Sequence, residues 1–205
     1  LALVVAGGGA VYALIGDPGW PDLRLALREA ERRAAEVPRP SQEEAERIAA
    51  ATRDALRPED PGPVGAETEE LRDAAVRLRE ALADRPDDVR GRRLLSGVLL
   101  RLGEPLEARR VQAEAVALLG DAATAEDRAA LAEAMILAAN GYVSPEAESQ
   151  LARALEIEPG HKIARYYAGL ALAQNDRPEM AVNVWRSLLG ESAEGDPWVA
   201  AIRQR

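Results

Sequence analysis

Cysteine is absent from this 205-residue chain, which excludes disulfides, thiolate catalysis and cysteine-ligated metals. Phenylalanine is absent too, and aromatic residues make up only 3% of the total, so the core must be built from small and aliphatic side chains. There is one histidine, His161, in the turn Glu158-Pro159-Gly160-His161-Lys162. A haem or metal site would need ligands that no second histidine supplies, and the setting reads as a solvated turn. No nucleophile has a histidine partner. No glycine-rich phosphate loop precedes a helix: Gly7-Gly8-Gly9 is followed by apolar residues without a lysine. A basic excess is lacking as well. The net charge is −9, which speaks against nucleic acid as a partner. These absences predict a protein that is not an enzyme, carries no cofactor or metal and acts by binding.

What is present favours helices. Apolar residues are 47% of the chain, mainly Ala, Leu and Val, and they are mixed with Arg and Glu. Ala, Leu, Arg and Glu are strong helix formers, so the chain reads as all-α. Pro86, Gly120 and Pro159 each end a helix-turn-helix unit. Aligned on them, a small residue near the start of each second helix falls on Ala74, Ala108, Ala147 and Ala181. A second small residue, seven later, falls on Ala81, Ala115 and Ala154, and Leu188 breaks the series. The last two units are 34 residues apart, the period of the tetratricopeptide repeat.

The pattern predicts a lone helix over 67–84, then pairs over 88–102 and 105–119, 125–139 and 145–156, and 162–174 and 178–189. A short capping helix follows over 197–202, because a stack must cover its last apolar face. Thr124 with Asp127, and Ser144 before Pro145, read as helix starts; Gly103 and Gly120 read as helix ends. The fold expected is an all-α right-handed tetratricopeptide superhelix over 66–205.

Residues 1–16 carry no charge but are shorter than the roughly 20 needed to span a bilayer. The chain starts at Leu1, so these residues read as the C-terminal part of a transmembrane helix in a longer protein, with Trp20 as an interfacial anchor. Residues 17–65 read as a helical connector and linker. Within it, 22–36 is amphipathic, Ser41 opens a helix to about residue 56, and 57–65 is rich in Pro and Gly. Arg24, Arg28, Arg32 and Arg33 would place this side in the cytoplasm under the positive-inside rule.

In such a stack the first helix of each unit lines a concave groove. Its groove positions are Arg90, Arg93, Gly97, Leu100 and Arg101 in unit one. In unit two they are Ala129, Ala132, Ile136, Ala139 and Asn140, and in unit three Ile163, Tyr166, Leu170, Ala173 and Gln174. The expected surface is basic at one end and apolar beyond, which suits an amphipathic helix with an acidic end. Trp185 is expected in the core, and one of Tyr166 and Tyr167 inside.

The specific stretches are Gly141-Tyr142-Val143-Ser144-Pro145-Glu146-Ala147 and Tyr166-Tyr167-Ala168-Gly169-Leu170-Ala171-Leu172-Ala173-Gln174. With the apolar segment, the Pro-rich connector and Ala117-Leu118-Leu119-Gly120-Asp121, they resemble the CcmI/CycH family of the bacterial cytochrome c maturation system. The resemblance covers nearly the whole chain. It implies an inner-membrane protein whose repeat domain lies in the periplasm, against the charge rule. Arginines this far from a span weigh less than the motifs. It also implies a chaperone that holds the C-terminal helix of apocytochrome c and delivers it to the haem-ligation subunits CcmF and CcmH. A holder without thiols forms no mixed disulfide with the apocytochrome's reduced cysteines. The alternative is a scaffold joining subunits of another envelope complex.

Overall fold

The structure is a computed structural model that describes residues 39–55 and 65–204. The expected membrane segment over 1–16, the helix over 22–36 and most of the linker over 57–65 lie outside the described residues. Among the described residues every regular element is helical. The helices are α1 (Gln42–Ala55), α2 (Ala66–Asp84), α3 (Val89–Arg101), α4 (Pro105–Leu119), α5 (Ala125–Ala138), α6 (Pro145–Ile157), α7 (Lys162–Gln174), α8 (Pro178–Gly190) and α9 (Pro197–Arg203). A single 3-10 turn, Gly120–Ala122, takes up the extra residues between the first and second units.

The helix starts follow local chemistry. The first backbone N–H groups of a helix have no partner within it, so a side chain must accept from them. Asp88 does this for Gly91 and Ser144 for Ala147. Thr124 and Asp127 do it reciprocally in a capping box. Proline opens α4, α6, α8 and α9, where its missing N–H costs nothing. Inside each pair the turn passes through left-handed backbone, at Gly103 (φ 73°), at Asn140 and Gly141 (φ 54° and 89°) and at Asp176 (φ 55°).

The helices stack in neighbouring pairs: α3 with α4, α5 with α6, α7 with α8. Each second helix also packs on the next first helix, and α2 packs on α3. The small residues sit at the crossings: Ala108, Ala115, Ala147, Ala154 and Ala181 are all fully buried. Leu188, which breaks the alanine series, is fully buried at the same kind of crossing. In α2 the register differs, and Ala75 is buried while Ala74 is only half-buried. That helix has no first helix of its own, so its inner face is set by α3 alone.

The main core runs through α5 to α8, around Ile136, Leu151, Leu155, Leu172, Trp185 and Leu188. A smaller one joins α2, α3 and α4 around Leu95 and Leu99. With so few aromatics, one large ring has an outsized role. Trp185 lies over Gly169, where an added Cβ would come within 2.3 Å of its Nε1. That Nε1 donates to the Tyr166 carbonyl at 3.0 Å.

The connector helix α1 is part of this stack. Ala45 and Ala49 are buried on it. Arg39, just before it, donates from both terminal nitrogens to Glu148 (3.0 and 2.9 Å) and to the Val143 carbonyl (2.7 Å). Gln42 donates to the Met135 carbonyl and accepts from Ser144 Oγ (2.8 and 2.7 Å). Arg53 donates to the Ala138 carbonyl at 2.9 Å, and Glu46 pairs with Arg109 of α4 at 2.7 Å. Residues 39–55 therefore strap α4, α5 and α6 together.

Candidate partner-binding site

The basic end of the expected groove is largely engaged within the protein. Arg93 grips Asp127 at the start of α5 with two donors, 2.5 and 2.7 Å long. Asp127 is 1% exposed and also accepts from the Thr124 N–H and hydroxyl. Burial opposes its charge, but the bonds from Arg93 and Thr124 prevail and hold its pKa below the ordinary carboxylate value. Arg101 pairs with Glu67 of α2 at 2.7 Å, on the surface. Arg90 is exposed and makes no ion pair among the described residues.

The middle of the groove is corrected by the fold. Ile136 is 1% exposed and Leu170 4%, so both are core residues rather than contacts for a partner. Ala129, Ala132 and Ala139 are buried with them. The reason is the stacking: α5 is covered by α4, α6, α7 and the strap α1, and few of its positions remain outside. Leu100 is half-buried against the smaller core. Asn140 is exposed in the left-handed turn. Gln174 accepts from the Val143 N–H and donates to the Gly141 carbonyl (2.8 and 2.7 Å), so it pins the turn between α5 and α6. Ile163 and Tyr166 remain half-buried at the core's edge. Tyr166 packs edge-on to Tyr167 with ring centres 4.9 Å apart. As expected, Trp185 and Tyr167 lie inside.

His161 departs from the solvated turn expected of it. It is 8% exposed and caps α7, accepting from the Ala164 N–H through Nδ1 at 3.3 Å. Its Nε2 lies 3.0 Å from Glu126 of α5. The bond to Glu126 raises the His161 pKa above the ordinary value, although burial opposes it. The same bond lowers that of Glu126. Nearby, burial raises the Glu133 carboxyl even though the Tyr167 hydroxyl donates to it at 3.0 Å.

These clasps went unrecognised in the sequence, yet they carry a signal. Glu67 and Arg101, Arg93 and Asp127, and Glu133 and Tyr167 are each 34 residues apart, and Glu126 and His161 are 35 apart. One repeat period sets side chains of neighbouring helices side by side, so complementary groups one period apart are candidate clasps.

At the far end of the stack α7, α8 and α9 enclose an open cavity of about 560 Å³. Its wall is apolar except for Arg186, and includes Ala173, one of the groove positions. Among the described residues no helix is long and apolar enough to cross a membrane.

No protein-family model matches the chain, and no solved structure matches it. Two curated proteins are similar, both named cytochrome c-type biogenesis protein CycH. The one from Bradyrhizobium diazoefficiens is 34% identical over 128 residues, 62% of this chain and 34% of that protein. The one from Rhizobium meliloti is 31% identical over 123 residues, 60% of this chain and 32% of that protein. The chain thus spans about a third of the length of the curated relatives it matches. Over that shared region it is similar to the CycH cytochrome c-type biogenesis proteins, the family its motifs resemble.

Proposed function

We propose that the chain is a holder of apocytochrome c in cytochrome c maturation, with a right-handed tetratricopeptide superhelix over 66–205 as its binding body. It binds the C-terminal helix of the apocytochrome and passes it to the haem-ligation subunits CcmF and CcmH. Residues 1–16 end a transmembrane helix in the bacterial inner membrane, and the repeats stand in the periplasm. It acts by binding rather than catalysis.

The observation that supports this most is the similarity to proteins named for cytochrome c-type biogenesis, across a region that folds as stacked helix pairs. Stacked pairs offer grooves and end faces suited to an amphipathic helix. Of the groove residues without an internal clasp, Arg90 and Asn140 are exposed and Ile163 and Tyr166 are half-buried, within a partner's reach. The test is calorimetric titration of the full chain with a C-terminal apocytochrome c helix peptide, against folded holocytochrome. Micromolar binding of the peptide alone is expected. Equal binding to holocytochrome, or none to either by a folded chain, defeats the proposal and turns attention to a scaffold role.

A further inference from the structure

The second helix of each unit offers one face to whatever follows it. Counted from the buried alanines Ala108, Ala147 and Ala181, the positions five and eight residues on are Ala113 and Val116 in α4, Ala152 and Leu155 in α6, and Arg186 and Leu189 in α8. In α4 and α6 these residues pack into the core, where the next first helix, α5 or α7, lies on them. After α8 the described chain supplies only the seven-residue α9, which reaches the site through Ile202. The cavity of about 560 Å³ is what α9 leaves uncovered, and Val182 on its wall is 46% exposed.

We propose that this outer face of α8 is a binding site for an amphipathic helix of a partner protein, with an apolar stripe flanked by a carboxylate that meets Arg186. The helical shape follows from the lining. Pro178, Val182, Trp185 and Leu189 recur every three to four residues and run about 16 Å along α8. The same face already receives a helix twice in this molecule. The carboxylate follows from the one departure from the series: Ala113 and Ala152 give way to an arginine. Arg186 bonds Asn183 Oδ1 of its own helix at 3.3 Å and makes no ion pair among the described residues. A second copy is a poor occupant, because a two-fold contact through this face would put two Arg186 side chains into one interface with no carboxylate from the cavity wall to meet them. Ala173 belongs both to the cavity wall and to the groove positions, so the cavity would anchor a helix bound at that end of the groove.

The choice of probe rests on the apocytochrome reading. The full chain is titrated with a fluorescent peptide of the C-terminal helix of a c-type apocytochrome. Val182→Glu and Arg186→Glu are compared with Arg77→Glu on exposed α2, after circular dichroism and melting show all three folded. The expected result is at least tenfold weaker binding for the two α8 variants and a change within twofold for Arg77→Glu. A peptide with its facing carboxylate replaced by lysine should recover binding to Arg186→Glu. If wild type binds and both α8 variants bind equally well, the site is overturned while the proposed function stands. If folded wild type ignores the peptide, both fall. A concentration-dependent dimer abolished by Val182→Glu assigns the face to a second copy and overturns the proposal.

Discussion

The junction between the first two units and the open end beyond the third are built from opposite materials. At the junction, polar groups are buried in closed sets. Arg93, Thr124 and Asp127 interlock and Gln112 donates to the Asp127 carbonyl at 3.1 Å; farther along, in the second unit, Arg39 seals Glu148, which is 0% exposed. At the far end the wall is apolar, with one arginine that has no ionic partner among the described residues. A buried ionic set works at one geometry and is costly when half removed, so it fixes register. An apolar cavity tolerates many shapes and gains from being filled. The first region holds the fold together; the second is left for recognition.

Arg39→Ala should have the largest effect. It strands the Glu148 carboxylate in the interior with Asn175 as its remaining side-chain donor, and a loss of about 3 kcal/mol is expected in urea unfolding. A loss below about 1 kcal/mol would mean that the strap is not seated there. Arg93→Ala comes next, at about 2 kcal/mol, because the arginine is 44% exposed and water can partly replace it. A double-mutant cycle with Asp127→Asn measures the coupling, and zero coupling would remove the clasp.

Gly169→Ala probes the core between the two regions. Alanine favours helix, yet here its methyl would collide with Trp185, so a thermal melt should show destabilisation of about 2 kcal/mol. Unchanged stability would contradict the close ring contact.

The His161–Glu126 link is weaker, and the single histidine gives it a clean NMR signal. Its pKa should lie above 6.5, and Glu126→Gln should lower it. An unmoved value would break the link. Folded His161 holds its proton more tightly than the unfolded chain does. Its contribution to stability is therefore full below the ordinary histidine pKa and fades as pH rises through the folded one. Glu126, held below its ordinary value, contributes above that value and loses its contribution as pH falls through the folded one. The second proton must displace the cap from Ala164, a long bond of 3.3 Å and the weaker of the two. The smallest effect belongs to Val182→Ser on the cavity wall, within about 0.5 kcal/mol on stability, because its side chain is already half in water.

The helices and caps were legible because they depend on neighbours a few residues away. Thr124, Asp127, Ser144 and the opening prolines announce helix starts by their own chemistry, and the alanine spacing marks the crossings. The groove was less legible. Ile136 and Leu170 have the spacing of groove residues, but that spacing does not show how closely α4, α6, α7 and α1 surround them. His161 looked solvated because its partner Glu126 lies in the preceding unit, 35 residues away. The strap was hidden for the same reason: Arg39 and Glu148 are 109 residues apart, with no period relating them.

The sequence by itself determined the helical character of the described residues, their pairing into units and the likeness to the CycH proteins, since these follow from short-range pattern and motif. Only the tertiary structure decided which faces stay open. Burial depends on what packs against a helix from far along the chain: α1 closes over α4, α5 and α6, while part of α8 lines an open cavity among the described residues.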